Sequence, residues 1–169
     1  MVGIREMVKE DIAHVIRLRE DFEEDQTSRG IFAANKNNKK KFKVDFRPMY
    51  ERYFTDNKKS HKKKIFVAVN ENNVAIGMIK VIIQEHEPSF EYGPYAHVCD
   101  LFVDKRYRNF KICLNLYEHC KEWIKLQGCR YIIMYTCGFN NLIKKCMPIL
   151  KMKEYKIIYA CDLNGSKDK

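Results

Sequence analysis

The chain has 169 residues, 46% hydrophobic and 32% charged, which fits one globular domain with a real core and excludes a disordered protein. It has no apolar run long enough to cross a bilayer and no basic-then-apolar leader, so a protein that spans a membrane or is secreted is set aside. Its seven cysteines are odd in number and form no C-x-x-C pair; they read as small reduced hydrophobes, and a cytoplasmic location is expected.

Residues 2–7 alternate and predict a first strand. Asp11 is expected to cap a helix from Ile12, whose stripe is Ile12, Val15, Ile16, Leu18, Arg19 and Phe22. That helix is expected to end in the acidic cluster 20–25. The cluster is either an exposed charged helix end or an attraction for a cationic amine, a polyamine or a lysine tail. Residues 26–43 show no periodicity and read as a flexible basic connector. Phe46, Met49, Tyr50, Tyr53 and Phe54 predict a second amphipathic helix, broken by a turn at 55–57. Lysine runs at 39–41 and 62–64 flank it. With a net charge of +10, they point to an acidic partner: a polyphosphate cofactor, a nucleic acid or an anionic surface. Lysines solvated beside a turn are the plainer reading.

Residues 65–69 and 74–83 read as two strands of a hairpin. Asn70, Glu71, Asn72 and Asn73 join them, asparagine tolerating positive φ in the turn. A polar loop punctuated by Pro88, Gly93 and Pro94 follows.

The stretch 95–126 is the most informative. Residues 96–103 alternate, with His97, Cys99, Leu101 and Val103 on one face and Val98, Asp100 and Phe102 on the other. A charged turn, 104–108, leads into a helix of about four turns. Its stripe is Phe110, Cys113, Leu114, Leu116, Tyr117, Cys120, Trp123 and Ile124. A helix start after a basic turn offers backbone N–H groups and the positive end of the helix dipole to an anion such as pyrophosphate. Gln127 and Gly128 supply the stop. Residues 131–136 predict a strand too short for a helix, which makes a parallel strand–helix–strand unit. A short helix is expected over 140–150, ended near Pro148, then a last strand over 155–161 and a polar tail over 164–169.

The run Val103, Asp104, Lys105, Arg106, Tyr107, Arg108 ahead of a helix resembles motif A of the GNAT family of N-acetyltransferases. Leu18, Arg19 and Phe22 on the first helix also match that family, as do Phe66, Val67, Ala68, Ile76 and Gly77 in the hairpin. So does the order of elements over nearly the whole chain. The resemblance implies an α/β (α+β) acyl-CoA N-acyltransferase fold in a single domain over 1–169. Its sheet would be mixed, mostly antiparallel, with six to seven strands, about four flanking helices and a splayed central strand pair. It also implies acetyl-CoA as co-substrate and an amine acceptor, either a small molecule or a protein amine. The acceptor pocket would be shaped by the loops at 26–43 and 84–94. In the family an R-x-x-G-x-G/A loop holds the pyrophosphate. Here Lys111 and Cys113 stand where the small residues belong, so backbone approach is hindered and the Lys111 charge would have to compensate.

By that resemblance the cofactor falls to Leu101, Phe102 and Val103 on the strand, to Arg108, Asn109, Phe110, Lys111, Ile112 and Cys113 at the helix start, and to Asn140. His97 is the candidate general base, since histidine titrates near neutrality; a packed histidine at a strand start is the plain alternative. Asp100 and Glu91 are weaker candidates, and Asp100 on its own face would need an ionic partner. The family's acidic tyrosine is missing, Met147 standing in its place. Cys146 is the neighbouring candidate acid, against a structural cysteine. Glu85, His86, Glu87, His97 and Cys99 follow no ligand spacing, so no metal is expected. Two alternatives stay open. One is a degenerate relative that binds CoA or a partner without turnover. The other is a basic nucleic-acid-binding module. Monomer and homodimer are equally open.

Overall fold

Alternating apolar residues in the middle of the chain set the frame. In this computed structural model, which describes residues 2–27, 47–56, 62–85, 93–137 and 140–155, they form one sheet in the order β1-β2-β3-β4-β5. The strands are β1 (Gly3–Glu6), β2 (Lys63–Val69), β3 (Ala75–Gln84), β4 (Tyr95–Val103) and β5 (Ile132–Met134), with helices α1 (Ile12–Thr27), α2 (Arg47–Asp56), α3 (Phe110–Leu126) and α4 (Asn141–Cys146). The first four strands pair antiparallel and β4 pairs parallel with β5. The mixed, mostly antiparallel sheet is as expected, but it holds five strands among the described residues. The last expected strand lies outside them beyond Tyr155, as do the lysine run 39–41 and most of the connector.

The hairpin turn works as its asparagines predict. The Asn70 carboxamide oxygen accepts the Asn72 and Val74 N–H groups, and Asn73 has a φ of 58°. Asp11 does not cap α1. It ends a 3-10 turn, Lys9–Asp11, where its carboxylate accepts the Val8 N–H at 2.8 Å and pairs with Arg5 at 2.6 Å. The acidic cluster does not stop α1 either, because the helix continues to Thr27. α3 runs 17 residues, from Phe110 to the expected stop at Gln127 and Gly128. Its start is Asn109, whose side chain caps the Lys111 N–H, and Gly128 past its end has a φ of 73°.

Two apolar layers sandwich the sheet. On one face Leu116, Cys120 and Ile124 of α3 pack on Ile79, Val81, Ile83, Ala96 and Val98. On the other, Val15 and Leu18 of α1 and Tyr50 and Tyr53 of α2 pack on Ile65, Val67, Met78 and Phe102. Gly77 marks the tightest approach. A Cβ there would sit 3.1 Å from the Phe102 carbonyl oxygen and 3.4 Å from Leu116. Backbone cannot yield as a flexible side chain does, so Gly77→Ala is expected to cost roughly 1–2 kcal/mol in urea unfolding.

The chain divides into two compact units, 1–22 with 44–135, and 23–43 with 136–169. The second holds α4. It is shorter than the expected 140–150 helix because the chain turns from Met147 onward, reaching a φ of 57° at Lys151.

Candidate active site

β4 holds the centre of the site, and its shape comes from one extra residue. Lys80 is registered with Asp100 and Val81 with Val98, leaving Cys99 without an opposite number. An inserted residue of this kind is a bulge, which bends the strand and resets which face each later side chain takes. Ala96 and Val98 before it, and Leu101 and Val103 after it, all meet the α3 layer. His97 therefore does not share a face with Leu101 and Val103, as strict alternation predicted. It lies with Cys99 and Asp100 on the α1 side. The Cys99 sulfur is 3.8 Å from His97 Nδ1, and Asp100 and Lys80 both act on the imidazole.

The bend also opens an edge. β5 pairs only with Ala96, His97 and Val98 and follows β4 no further. The Asp104 N–H donates to the Ile76 carbonyl at 2.8 Å. In an antiparallel ladder, hydrogen-bonded and non-hydrogen-bonded pairs alternate. Phe102 and Asp100 therefore also turn their backbone toward β3. Leu101 and Val103, opposite Ile79 and Gly77, turn theirs to the side β5 has left. This is the splayed central pair, and among the described residues it leaves two residues of β4 edge without a strand beside them.

Below that edge the basic turn is built around a buried carboxylate. Asp104 is 3% exposed. It accepts from the Arg106 backbone N–H at 3.0 Å, from Arg106 Nε and Nη2 at 3.2 and 2.8 Å, and from Arg17 at 3.0 Å. These donors hold its carboxyl well below the usual carboxylate range. Arg108 projects differently, with its guanidinium 5.3 Å from the Phe102 ring centroid. The α3 start is already partly satisfied. The Asn109 side chain takes the Lys111 N–H at 2.8 Å, and its carbonyl takes those of Ile112 and Cys113. Neither Lys111 nor Cys113 has positive φ, so the missing glycines bear on closeness of approach and not on backbone conformation.

The sequence candidates thus separate. Leu101 and Val103 lie on the outer part of β4, Asn109, Phe110 and Lys111 form the α3 start, and the Arg108 guanidinium lies over the Phe102 ring. The Phe102 ring is buried 5.7 Å from that of Phe22, and the Ile112 side chain is buried on the inner face of α3. For both, only backbone remains to meet a ligand. Asn140 and Cys146 belong to the second unit, where the Asn140 side chain caps α4 through the Ile143 N–H and Cys146 is half-buried. Glu91 lies outside the described residues.

His97 is half-buried, with the Tyr135 ring edge-on at 4.8 Å. Burial is the main force on its pKa and lowers it below 6.5; Asp100 pulls upward and Lys80 downward. The imidazole is therefore neutral at neutral pH and able to take a proton. Burial pushes the Cys99 thiol up, away from a thiolate. Asp100, 7% exposed, has the partners its burial requires: Arg19 pairs with one carboxylate oxygen, and Lys80 is 3.7 Å from the other. Alternation in the sequence could not reveal this cluster, because the bulge creates it. The one signal was a carboxylate inside an otherwise apolar stretch.

Two lysines of the second run are engaged. Lys62 pairs with Glu85 at 3.1 Å and Lys64 with Glu6 at 2.8 Å, which weakens the nucleic-acid reading. Among the described residues no group of three or more His, Cys, Asp or Glu side chains could hold a metal, and no helix is long and apolar enough to cross a membrane.

Comparison with known proteins adds to the geometry. The profile of the Acetyltransferase (GNAT) family matches residues 15–144. No curated protein matches the sequence. A single-site mutant of the BH1408 protein from Bacillus halodurans superposes with a TM-score of 0.75 at 20% identity, over 95% of this chain and 99% of its own. The aminoglycoside 6'-N-acetyltransferase AAC(6')-Ih from Acinetobacter baumannii gives 0.67 at 16% identity, over 98% and 100%. AAC(6')-Iy, in complex with a CoA bisubstrate analog, gives 0.68 at 18% identity, over 96% and 98%. At such identities the likeness is one of fold.

Proposed function

Because the chain belongs to the GNAT acetyltransferase family, we propose that it moves an acetyl group from acetyl-CoA to an amine by direct attack within a ternary complex. The observation that carries this reading is the open edge at Leu101 and Val103, running down to the basic turn and the α3 start. An extended amide-bearing arm can pair with such an edge as another strand would. A pyrophosphate suits the positive end of α3 beside Arg108 and Lys111.

In the reaction the amine nitrogen attacks the thioester carbonyl, forming a C–N bond as the C–S bond breaks. The ammonium proton passes to neutral His97, directly or through water. CoA leaves as a thiolate that acquires a proton from solvent. A backbone N–H at the open edge is the candidate partner of the carbonyl oxygen while it carries charge. Tyr135, edge-on to the imidazole, restrains the orientation of His97.

Calorimetric titration with acetyl-CoA and with CoA tests the reading. The wild type is expected to bind, and Arg108→Ala to lose about tenfold in affinity, the scale of one charge-assisted phosphate contact. No binding by the wild type would overturn the proposal. One observation favours a second reading, binding without turnover. Met147 stands where the family carries its tyrosine acid, and a thioether has no proton to donate to the leaving thiolate. Binding of acetyl-CoA without acetylation of any amine in a broad screen would decide for it.

A further inference from the structure

A neutral imidazole takes a proton only at the ring nitrogen that carries none, so the tautomer of His97 decides where it can act as a base. That choice is set by the hydrogen bond the other nitrogen makes, ordinarily to a carboxylate or a carbonyl oxygen. Asp100, the carboxylate on the same face, is occupied: Arg19 pairs with one oxygen and Lys80 with the other. Among the described residues one group comes within hydrogen-bond reach of the ring, the Cys99 sulfur, 3.8 Å from Nδ1, and Nε2 has no partner. The bulge accounts for the contact. Cys99 has no opposite number on β3 and lies on the His97 face of its own strand.

The thiol meets two groups of His97 at once, the backbone carbonyl oxygen at 3.5 Å and Nδ1 at 3.8 Å. A carbonyl oxygen can only accept, so the single S–H proton is engaged in the shorter contact. The sulfur is left to face Nδ1 with a lone pair, and that pairing requires the ring proton on Nδ1. Sulfur is a weak acceptor, so the contact biases the tautomer without locking it. The Tyr135 ring, edge-on at 4.8 Å, opposes the ring flip that would exchange the two nitrogens. Resting on the acetyltransferase reading above, we infer that Cys99 is a positioning residue for the transfer: its sulfur keeps the His97 proton on Nδ1 and leaves Nε2 bare to receive the proton of the acceptor amine.

The test is a long-range proton–nitrogen NMR correlation of the imidazole rings in the full chain, at about pH 8, where His97 is neutral. His97→Ala identifies its signals among those of the five histidines. The wild type is expected to show Nδ1 protonated and Nε2 bare. Cys99→Ala should move population to the Nε2–H form and lower kcat about three- to tenfold, the scale of one neutral hydrogen bond, with acetyl-CoA affinity unchanged. A wild type with its proton mainly on Nε2 would overturn this inference and leave the acetyltransferase reading standing. So would a Cys99→Ala variant whose tautomer and kcat both match the wild type. Should that variant fail to fold, the wild-type spectrum decides alone. Failure of the wild type to bind acetyl-CoA would overturn the acetyltransferase reading, and the positioning role with it.

Discussion

Replacing His97 by alanine is expected to lower kcat by roughly a hundred- to ten-thousandfold, the usual weight of a positioned general base, with acetyl-CoA affinity unchanged. The separation follows from placement. His97 lies on the α1 face of β4, whereas the open edge and the α3 start lie beyond the bulge at Cys99. The wild-type pH profile carries the sign. Burial lowers the imidazole pKa below 6.5, so the neutral form, the one a base requires, dominates at neutral pH. Once the acceptor's own ionisation is allowed for, kcat/KM should rise with pH through a value below 6.5 and level off above it. His97→Ala should lose that inflection. A variant that keeps both the rate and the inflection would show that His97 is only a packed histidine.

Asp104→Ala is expected to lower stability by about 2–3 kcal/mol and to weaken acetyl-CoA binding. The buried carboxylate joins Arg17 on α1 to the backbone and side chain of Arg106 in the turn. Charge-assisted bonds contribute about 1.5–3 kcal/mol each when screening is weak. Arg17 and Arg106 are 40% and 70% exposed, so solvent reduces the sum. Without the carboxylate the turn between β4 and α3 loses the acceptor that joins Arg106 to Arg17. The acid dependence has a definite direction. The folded-state pKa of Asp104 is depressed, so its contribution is complete above the unfolded carboxyl value of about 3.9 and is lost as pH falls below that. Urea unfolding of wild type and variant from pH 7 downward should show the stability gap closing only in that acidic range. A pH-independent gap would remove the ionic explanation.

Much of the fold was legible in the chain because local rules and burial agreed there. The hairpin at 63–84 combines alternating apolar residues with asparagines that tolerate a turn. α3 combines a helical stripe with the Asn109 cap and Gly128. Where one residue answered to two demands, the reading slipped. Asp11 looks like a helix cap, yet Arg5 on β1, outside the local pattern of α1, pairs with it in a 3-10 turn. The strand expected over 131–136 shrank to three residues because β4 bends away and removes its ladder partner.

By itself the sequence determined the order of elements, the basic turn ahead of α3, and which residue types were present to do chemistry. All of these follow from short-range periodicity and turn chemistry. Only the tertiary structure decided which of those residues meet. The bulge at Cys99 arises from register against β3, a relation between segments distant along the chain, and no alternation within β4 records it. That single residue puts His97 and Asp100 on one face, brings Lys80 and Arg19 to them, and turns Leu101 and Val103 toward an edge that β5 leaves open.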